Sequence, residues 1–354
     1  MTFIIPVYNG ESTIKRAIDS VLKQKGAEYK LIIVDDGSTD NTAKICHEYV
    51  DLYSDRVKYI YQKNNRQGAA RNNAIQFVTS EYISFLDADD WLMDNYLECV
   101  YSKISVIPEN KHPQIVMTLP IKWDERTGEC SDWMDKDVFY SIFMTDGIIV
   151  NPNIEIKLYE TEVNVCRKII STQFIKEIDF KFEEGIRWED VVPHFVLLNK
   201  CSSCMGIGTT GFYYRVGSDD QTTATRGSER LDVVKILREL LYYCEHTHNK
   251  IMYFAVMRII VRFSIWCIRM TDGKVRRRLV NELHRLYVEI PKEYYVALKN
   301  GAKERYVGKD RLQYQLMMIG LRYKFFNPIF YWEWLEKLGE WIVKTILHAD
   351  GKVQ

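Results

Sequence analysis

The chain gathers carboxylates where apolar runs end, and their spacing suggests metal and phosphate chemistry. Asp87-x-Asp89 follows Ile83, Ser84, Phe85 and Leu86. Mg²⁺ and Mn²⁺ take hard oxygen ligands, and a cation held there could neutralise a diphosphate as it departs. One carboxylate would reach the metal while the other reaches a ribose or a metal-bound water. A capped helix start before Trp91 produces the same pattern, so the motif alone decides little. Asp35-Asp36-Gly37-Ser38 closes an earlier apolar run. A carboxylate there could accept the imide N–H of uracil, or the segment is an Asx-type turn with glycine at positive φ. Asn64 and Arg71-Asn72 flank Gly68-Ala69-Ala70. Small residues let a backbone approach a ligand, and Arg71 could pair with phosphate or a sugar hydroxyl. A surface arginine on a helix reads identically.

The elements that must carry these residues alternate between two periods, as βαβ units do. Residues 2–7 form a β-branched run, and 12–25 place Ile14, Ala17, Ile18, Val21 and Leu22 at helical spacing. A second strand is expected over 31–34. Asp40 is an N-cap candidate for a helix reaching Tyr53. Strands over 57–61 and 82–86 bracket a helix over 69–78. Polar residues thus collect after three strand C-termini, the edge where open α/β sheets bind ligands. Residues 114–216 read as mixed, with a hairpin turn near 125–129 and a helix from about Asp190. Beyond Ser228 the pattern is helical.

Composition narrows the class. With 47% hydrophobic and 27% charged residues, the chain is expected to fold rather than stay disordered. Eight scattered cysteines and no secretory leader predict reduced thiols in the cytoplasm. Cys201 and Cys204 lack the second pair that zinc requires. No uninterrupted apolar run reaches about 18 residues, so no membrane-crossing helix is expected. Residues 241–354 hold 20 Lys and Arg against 11 Asp and Glu, a surplus of nine that the front part offsets to a net charge of zero. An acidic front suits a metal site, and a basic rear suits an anionic partner.

Taken together, Ile4-Ile5-Pro6-Val7-Tyr8-Asn9, Val34-Asp35-Asp36-Gly37-Ser38, Asn64 with Ala70-Arg71-Asn72, and Phe85-Leu86-Asp87-Ala88-Asp89-Asp90 resemble family 2 glycosyltransferases in order and spacing. The resemblance covers roughly residues 1–220. It implies a GT-A fold: an α/β, Rossmann-like mixed sheet flanked by helices, here followed by a helical C-terminal region. It also implies a nucleotide-sugar donor, commonly a UDP-sugar, with Mn²⁺ or Mg²⁺ and inversion of configuration. Pro6, Tyr8 and Glu11 would then line the nucleoside, with Asp36, aided by Asp35, on the uracil. Asn64 and Arg71 would contact the nucleotide or donor sugar. Asp87 and Ala88 would face the ribose and sugar, and Asp89, with Asp87, the metal. The stretch 180–190 resembles the family segment that ends in a Glu-Asp pair, which makes Asp190 the base and Glu189 its neighbour. The bland alternative is a helix start, where acidic residues favour the dipole. Lys168 and Arg215 match basic positions of the family, and 218–226 its mobile loop.

Three departures stand out: Arg66 where Gly is frequent, Ala74 likewise, and Asp220-Gln221-Thr222 after the Tyr-Arg element. The expected division is a catalytic domain over 1–225, with a nucleotide-binding half (1–100) and an acceptor-binding half (101–225), then a helical domain over 226–354. Arg258, Arg262 and Arg269 share a helical face, followed by Lys274 and Arg276-Arg277-Arg278. This basic rear suits peripheral contact with an anionic membrane, a phosphate-bearing acceptor, or plain solvent. Tyr331, Leu335, Leu338, Trp341, Ile342 and Ile346 line an amphipathic helix suited to packing on the catalytic domain or a second copy of the chain. The acceptor is expected to be a glycan, polysaccharide, teichoic acid or lipid-linked glycan, with no nucleic-acid partner. The runner-up is a catalytically silent GT-A domain acting as a binding or scaffold module. A nucleotidyltransferase or Rossmann dehydrogenase would need a Gly-rich phosphate loop after the first strand, and Pro6 to Gly10 is not one.

Overall fold

The computed structural model describes residues 1–218 and 226–305. The chain divides into two compact units, Met1–Ala224 and Thr225–Gln354.

The first unit opens with β1 (Thr2–Val7), α1 (Ile14–Leu22), β2 (Lys30–Asp35), α2 (Thr42–Leu52), β3 (Val57–Tyr61), α3 (Arg66–Ile75) and β4 (Tyr82–Phe85). It continues with β5 (Trp91–Leu92), α4 (Tyr96–Ile104), β6 (Ile115–Thr118), β7 (Ile121–Asp124), β8 (Cys130–Asp132), α5 (Lys136–Ile142) and β9 (Ile149–Val150). β10 (Lys168–Ser171), α6 (Thr172–Glu177), α7 (Val191–Lys200), β11 (Cys204–Ile207) and β12 (Phe212–Val216) complete it. Eight strands form one sheet in the order β3-β2-β1-β4-β10-β6-β11-β9, and β5-β12-β7-β8 form a second.

β1 is buried along its whole length and β4 likewise, as expected of strands covered on both faces. α1 turns Ile14, Ala17, Ile18 and Val21 into the core. The strand order reverses between β1 and β4, which run parallel to each other, so the loops after them part at this edge and leave a crevice. β10 runs antiparallel to both β4 and β6. Its N-terminal end therefore meets the C-terminal end of β4, and the register carries Cys166 towards Asp87. The hairpin expected near 125–129 joins β7 to β8.

Differences from the sequence reading are local. α3 begins at Arg66, three residues early, and Arg66 takes φ +67°, in the left-handed region that favours glycine. Asp40 does not occupy the cap position of α2, yet its Oδ1 accepts the Thr42 N–H at 3.0 Å. Cys201 and Cys204 are buried, and all eight cysteines are free thiols.

The second unit contains α8 (Asp232–Thr247), α9 (Tyr253–Arg269), α10 (Gly273–Glu289) and α11 (Lys292–Arg305). α9 is its central helix, with Val256, Met257, Ile260, Val261 and Cys267 buried. By length and composition, Lys250–Arg269 is apolar enough to cross a membrane, at mean hydropathy 1.8. The run-length count overlooked it because arginines interrupt the run; more than half of the stretch is buried, as a core helix is. Arg258 and Arg262 are half-buried and Arg269 is exposed, and each has a partner. Lys274, Arg277 and Arg278 of α10 are exposed. The amphipathic helix expected over 331–346 and the departure at 220–222 lie outside the described residues.

Candidate active site

The loops after β1 and β2 are laced together. Asn9 donates its N–H to Ser38 Oγ at 2.9 Å, and its Oδ1 accepts the Thr39 N–H at 2.8 Å. Glu11 Oε2 accepts both the backbone N–H and the side-chain amide of Asn41, at 2.9 and 2.8 Å. Glu11 is therefore a staple between loops, exposed and with only Oε2 engaged. Asp35 is closed off more fully. It is fully buried, with one oxygen accepting from Tyr59 Oη at 2.7 Å and the other from the Ser38 N–H at 2.8 Å. Pro6 is buried within β1, while Tyr8 just beyond it is 53% exposed.

Asp36 behaves differently from its neighbour. Its Oδ1 accepts from Gln62 Nε2 and from the Asn65 N–H, both at 2.8 Å, and among the described residues Oδ2 accepts no bond. Gly37 sits at φ +82°, and a Cβ there would come within 2.9 Å of the Asn64 nitrogen. The glycine thus lets Asn64 close against Asp36.

The second group lines a cavity of about 140 Å³: Gln67, Arg71, Asp87, Asp89, Asn164, Val165, Cys166, Trp188, Glu189, Asp190 and Tyr214. Three stretches distant in sequence meet here because α3 clamps the 182–190 segment. Asn72 Nδ2 donates to the Phe182 carbonyl at 2.9 Å, and Asn72 Oδ1 accepts the Phe182 N–H at 2.8 Å. A Cβ on Gly68 would meet the Glu183 carbonyl oxygen at 2.2 Å, so only glycine permits this approach. Arg71 completes the clamp. It is 2% exposed, donates one amino group to Asp87 Oδ1 at 2.8 Å, and gives the other to Glu189 Oε1, 118 positions away. Its two nearby carboxylates keep the guanidinium charged despite burial, which opposes them.

Asp190 occupies the position before α7, and its side chain makes no capping bond. The helix-start reading therefore does not account for its carboxylate, which borders the cavity with no hydrogen bond among the described residues. Trp188, two residues earlier, takes φ +58°, a costly conformation for a bulky side chain and one that clusters at functional sites. Burial, and then the charge of Glu189, push the Asp190 carboxyl up to about 7, against the pull of Arg71 and Lys168.

Burial and neighbouring Asp87 raise Asp89 to about 6, with its own backbone N–H, Arg215 and Arg16 opposing. Asp90 is raised well above the carboxylate range, first by burial and then by Asp89 and Asp87. Its Oδ1 accepts the Arg215 N–H at 2.9 Å, and its enclosed Oδ2 has no partner among the described residues, which fits a protonated acid. Among those residues no three His, Cys, Asp or Glu converge to hold a metal unaided. Mg²⁺ and Mn²⁺ sites at nucleotides use one or two carboxylates and complete their shell with phosphate oxygens and water. The crowded acids Asp87, paired with Arg71, and Asp89 fit that kind of site.

Two basic residues stand elsewhere. Lys168 is fully buried, and its Nζ donates to the Val163 and Asn164 carbonyls at 2.9 Å each, so it does not border the cavity as expected of a donor ligand. Arg215 is tied to Glu125 at 2.6 Å on the β7–β8 hairpin. It is near enough to lower Asp89 but does not line the cavity. Ala88 is half-buried between the two acids. Part of the mobile loop expected over 218–226 lies outside the described residues. Asn164 and Cys166, from the segment before β10, and Tyr214, as a wall of the cavity, carry no mark in the sequence.

Comparisons with known proteins agree with this architecture. Residues 2–110 match the family model described as glycosyl transferase family 2. The minor teichoic acid biosynthesis protein GgaA of Bacillus subtilis is 35% identical over 230 residues, 64% of this chain and 49% of that protein. The chain spans about half, or less, of the length of the curated relatives it matches. Among solved structures, S. aureus TarS 1–349 in complex with UDP-GlcNAc superposes with TM-score 0.67 at 18% identity, covering 90% of this chain and 88% of that one. The mannosyltransferase PcManGT from Pyrobaculum calidifontis, in complex with GDP-Man and Mn²⁺, covers 90% and 84% with TM-score 0.50 at 13% identity. Residues 2–110 thus carry a family 2 glycosyltransferase domain, and the sheet that they belong to has the GT-A fold.

Proposed function

We propose that this chain moves a sugar from a UDP-sugar to a hydroxyl of a glycan, polysaccharide or teichoic-acid-type acceptor, with inversion at the anomeric carbon. One observation carries the reading: Asp87, Asp89, Glu189 and Asp190 border a single cavity around Arg71, and Asp190 commits neither oxygen to the protein. TarS with UDP-GlcNAc supports the donor class, PcManGT with Mn²⁺ the metal, and GgaA the acceptor class.

Asp36 accepts the uracil imide N–H through Oδ2, with Tyr8 and Asn64 beside the nucleoside. Asp89, with Asp87, holds Mn²⁺ or Mg²⁺, and a cation bound there neutralises the charge that develops on departing UDP. Arg71 fixes Asp87 and Glu189 relative to each other, so the metal carboxylates and the base share one frame. Asp190, as carboxylate, accepts the proton of the acceptor hydroxyl. The acceptor oxygen bonds to the anomeric carbon opposite the diphosphate, the bond to the diphosphate breaks, and configuration inverts. A base raised to about 7 stands near working pH, where proton transfer is most effective. The work takes place on the cytoplasmic side of the cell envelope, with exposed Lys274, Arg277 and Arg278 offering peripheral contact to an anionic membrane.

A screen of UDP-sugars for release of UDP identifies the donor. Asp190→Asn is then expected to bind UDP with Mn²⁺ as tightly as the wild type in calorimetry, while transfer falls by roughly 10²–10⁴-fold. Retained turnover removes Asp190 from the role of base. UDP binding indifferent to metal contradicts the assignment of Asp87 and Asp89.

A further inference from the structure

We propose that Lys168 is a positioning residue for Asp190: its buried ammonium pins the turn that walls the cavity and adds to Arg71 a second positive charge that keeps the Asp190 carboxylate available. The proposal rests on Asp190 being the base. The geometry has two halves. First, Lys168 Nζ donates to the carbonyls of Val163 and Asn164, and Asn164, Val165 and Cys166 border the cavity. The lysine thus holds the wall from behind.

Second, both of those acceptors are neutral. Among the described residues no carboxylate is hydrogen-bonded to Lys168, which is fully buried at the start of β10. The groups facing it are Arg167 beside it, Glu162 and Asp135, His194 of α7, and Cys204 of β11. Asp135 is already engaged by Arg167 at 2.5 Å. The groups facing Asp190 are Glu189 beside it, Arg71 of α3, Asp87 after β4, Lys168, and Tyr214 of β12. Arg71 bonds Asp87 and Glu189 and acts on Asp190 through its charge, without a hydrogen bond, and Lys168 is the second cation that does so. Lys168, enclosed, and Asp190, half-buried at the cavity, are thus opposite charges neither of which is hydrogen-bonded to a counterion, where Coulomb attraction is screened less than in water. Burial pushes the lysine down and the aspartate up, and each opposes the shift of the other. Removing either charge disfavours the charged form of the other, which responds by a shift in its protonation.

The test titrates both groups in the full chain without substrate. Aspartate labelled with ¹³C at the side-chain carboxyl is followed by NMR from about pH 4 to 9, with the Asp190 signal assigned by its absence in Asp190→Asn. In Lys168→Gln, which can still donate to the two carbonyls but carries no charge, the Asp190 midpoint is expected to rise by about one unit. In Lys168→Arg it should stay within a few tenths. The same unit should appear in transfer as about a tenfold loss below the midpoint, recovered at alkaline pH, with UDP binding unchanged. An unmoved midpoint, or a loss equal at all pH values, overturns the proposal and leaves Lys168 a structural tie. The reciprocal measurement needs no change at Lys168, so it decides even if Lys168→Gln does not fold. In Asp190→Asn the Lys168 ¹³Cε titration should fall by a comparable amount, and an unmoved lysine overturns the proposal. Should Asp190→Asn retain transfer, the base reading falls separately, since both titrations still report the pairing of charges.

Discussion

Two parts of the same sheet edge are built on opposite terms. After β1 and β2, nearly every polar group is spent on another: Asn9 on Ser38 and Thr39, Glu11 on Asn41, Asp35 on Tyr59 and Ser38. After β4 and before α7, the acids are left short of partners. Asp89 is raised to about 6 and Asp190 to about 7, because burial withholds solvent while other carboxylates crowd them. The first part is a rigid seat that needs no ligand to be satisfied. The second is held in an unfavourable electrostatic state that a bound cation would relieve. Arg71 stands between these regimes, since its guanidinium pairs with Asp87 and Glu189 together.

The contrast breaks most severely at Arg71. Arg71→Ala leaves two buried carboxylates uncompensated, so a loss of about 3–5 kcal/mol in urea unfolding is expected, together with loss of metal-dependent UDP binding. A loss under about 1 kcal/mol would mean that the two halves do not depend on this clamp. A smaller effect of opposite sign is expected at Asp190. Its carboxyl is raised on folding, so folded protein binds the proton more tightly, and stability falls as pH rises from about 4 through about 7. Asp190→Asn removes that penalty: Tm should rise by roughly 2–4 °C at pH 8 and stay unchanged at pH 4. Equal Tm at both pH values would show that the acid is not held up. The smallest effect lies in the rigid part, at Arg66. A side chain at φ +67° costs about 1–2 kcal/mol, and glycine returns part of it to the disorder of the unfolded chain. Arg66→Gly should raise stability by up to about 1 kcal/mol, read from the urea midpoint, and a net loss would show that the contacts of Arg66 outweigh its strain.

The first four strands were legible nearly to the residue, because each is a short apolar run that ends in polar residues. Asp87-x-Asp89 and Glu189-Asp190 were legible as types. That they meet was not, since their union depends on Asn72, Gly68 and Arg71 closing on a segment 110 to 118 positions away. Glu11 and Asp35 illustrate the converse limit. Both match positions of the family pattern, yet Glu11 Oε2 is engaged by Asn41, 30 positions away, and Asp35 by Tyr59, 24 positions away. Lys168 was read as a donor ligand because a basic residue is frequent there, and only the antiparallel direction of β10 explains why its ammonium lies behind the wall. Arg66 shows a departure from pattern acquiring a physical meaning: the position favours glycine because its backbone is left-handed.

The clamp formed by Arg71 also bears on how such proteins can recombine. A chimera that grafts residues 1–110 onto a foreign acceptor half would import the arginine and Asp87 without Glu189, and Gly68 without the carbonyl that it makes room for. Swaps between relatives should therefore succeed where the exchanged block runs on through Asp190, and donor and acceptor preferences should be inherited as one unit rather than shuffled separately.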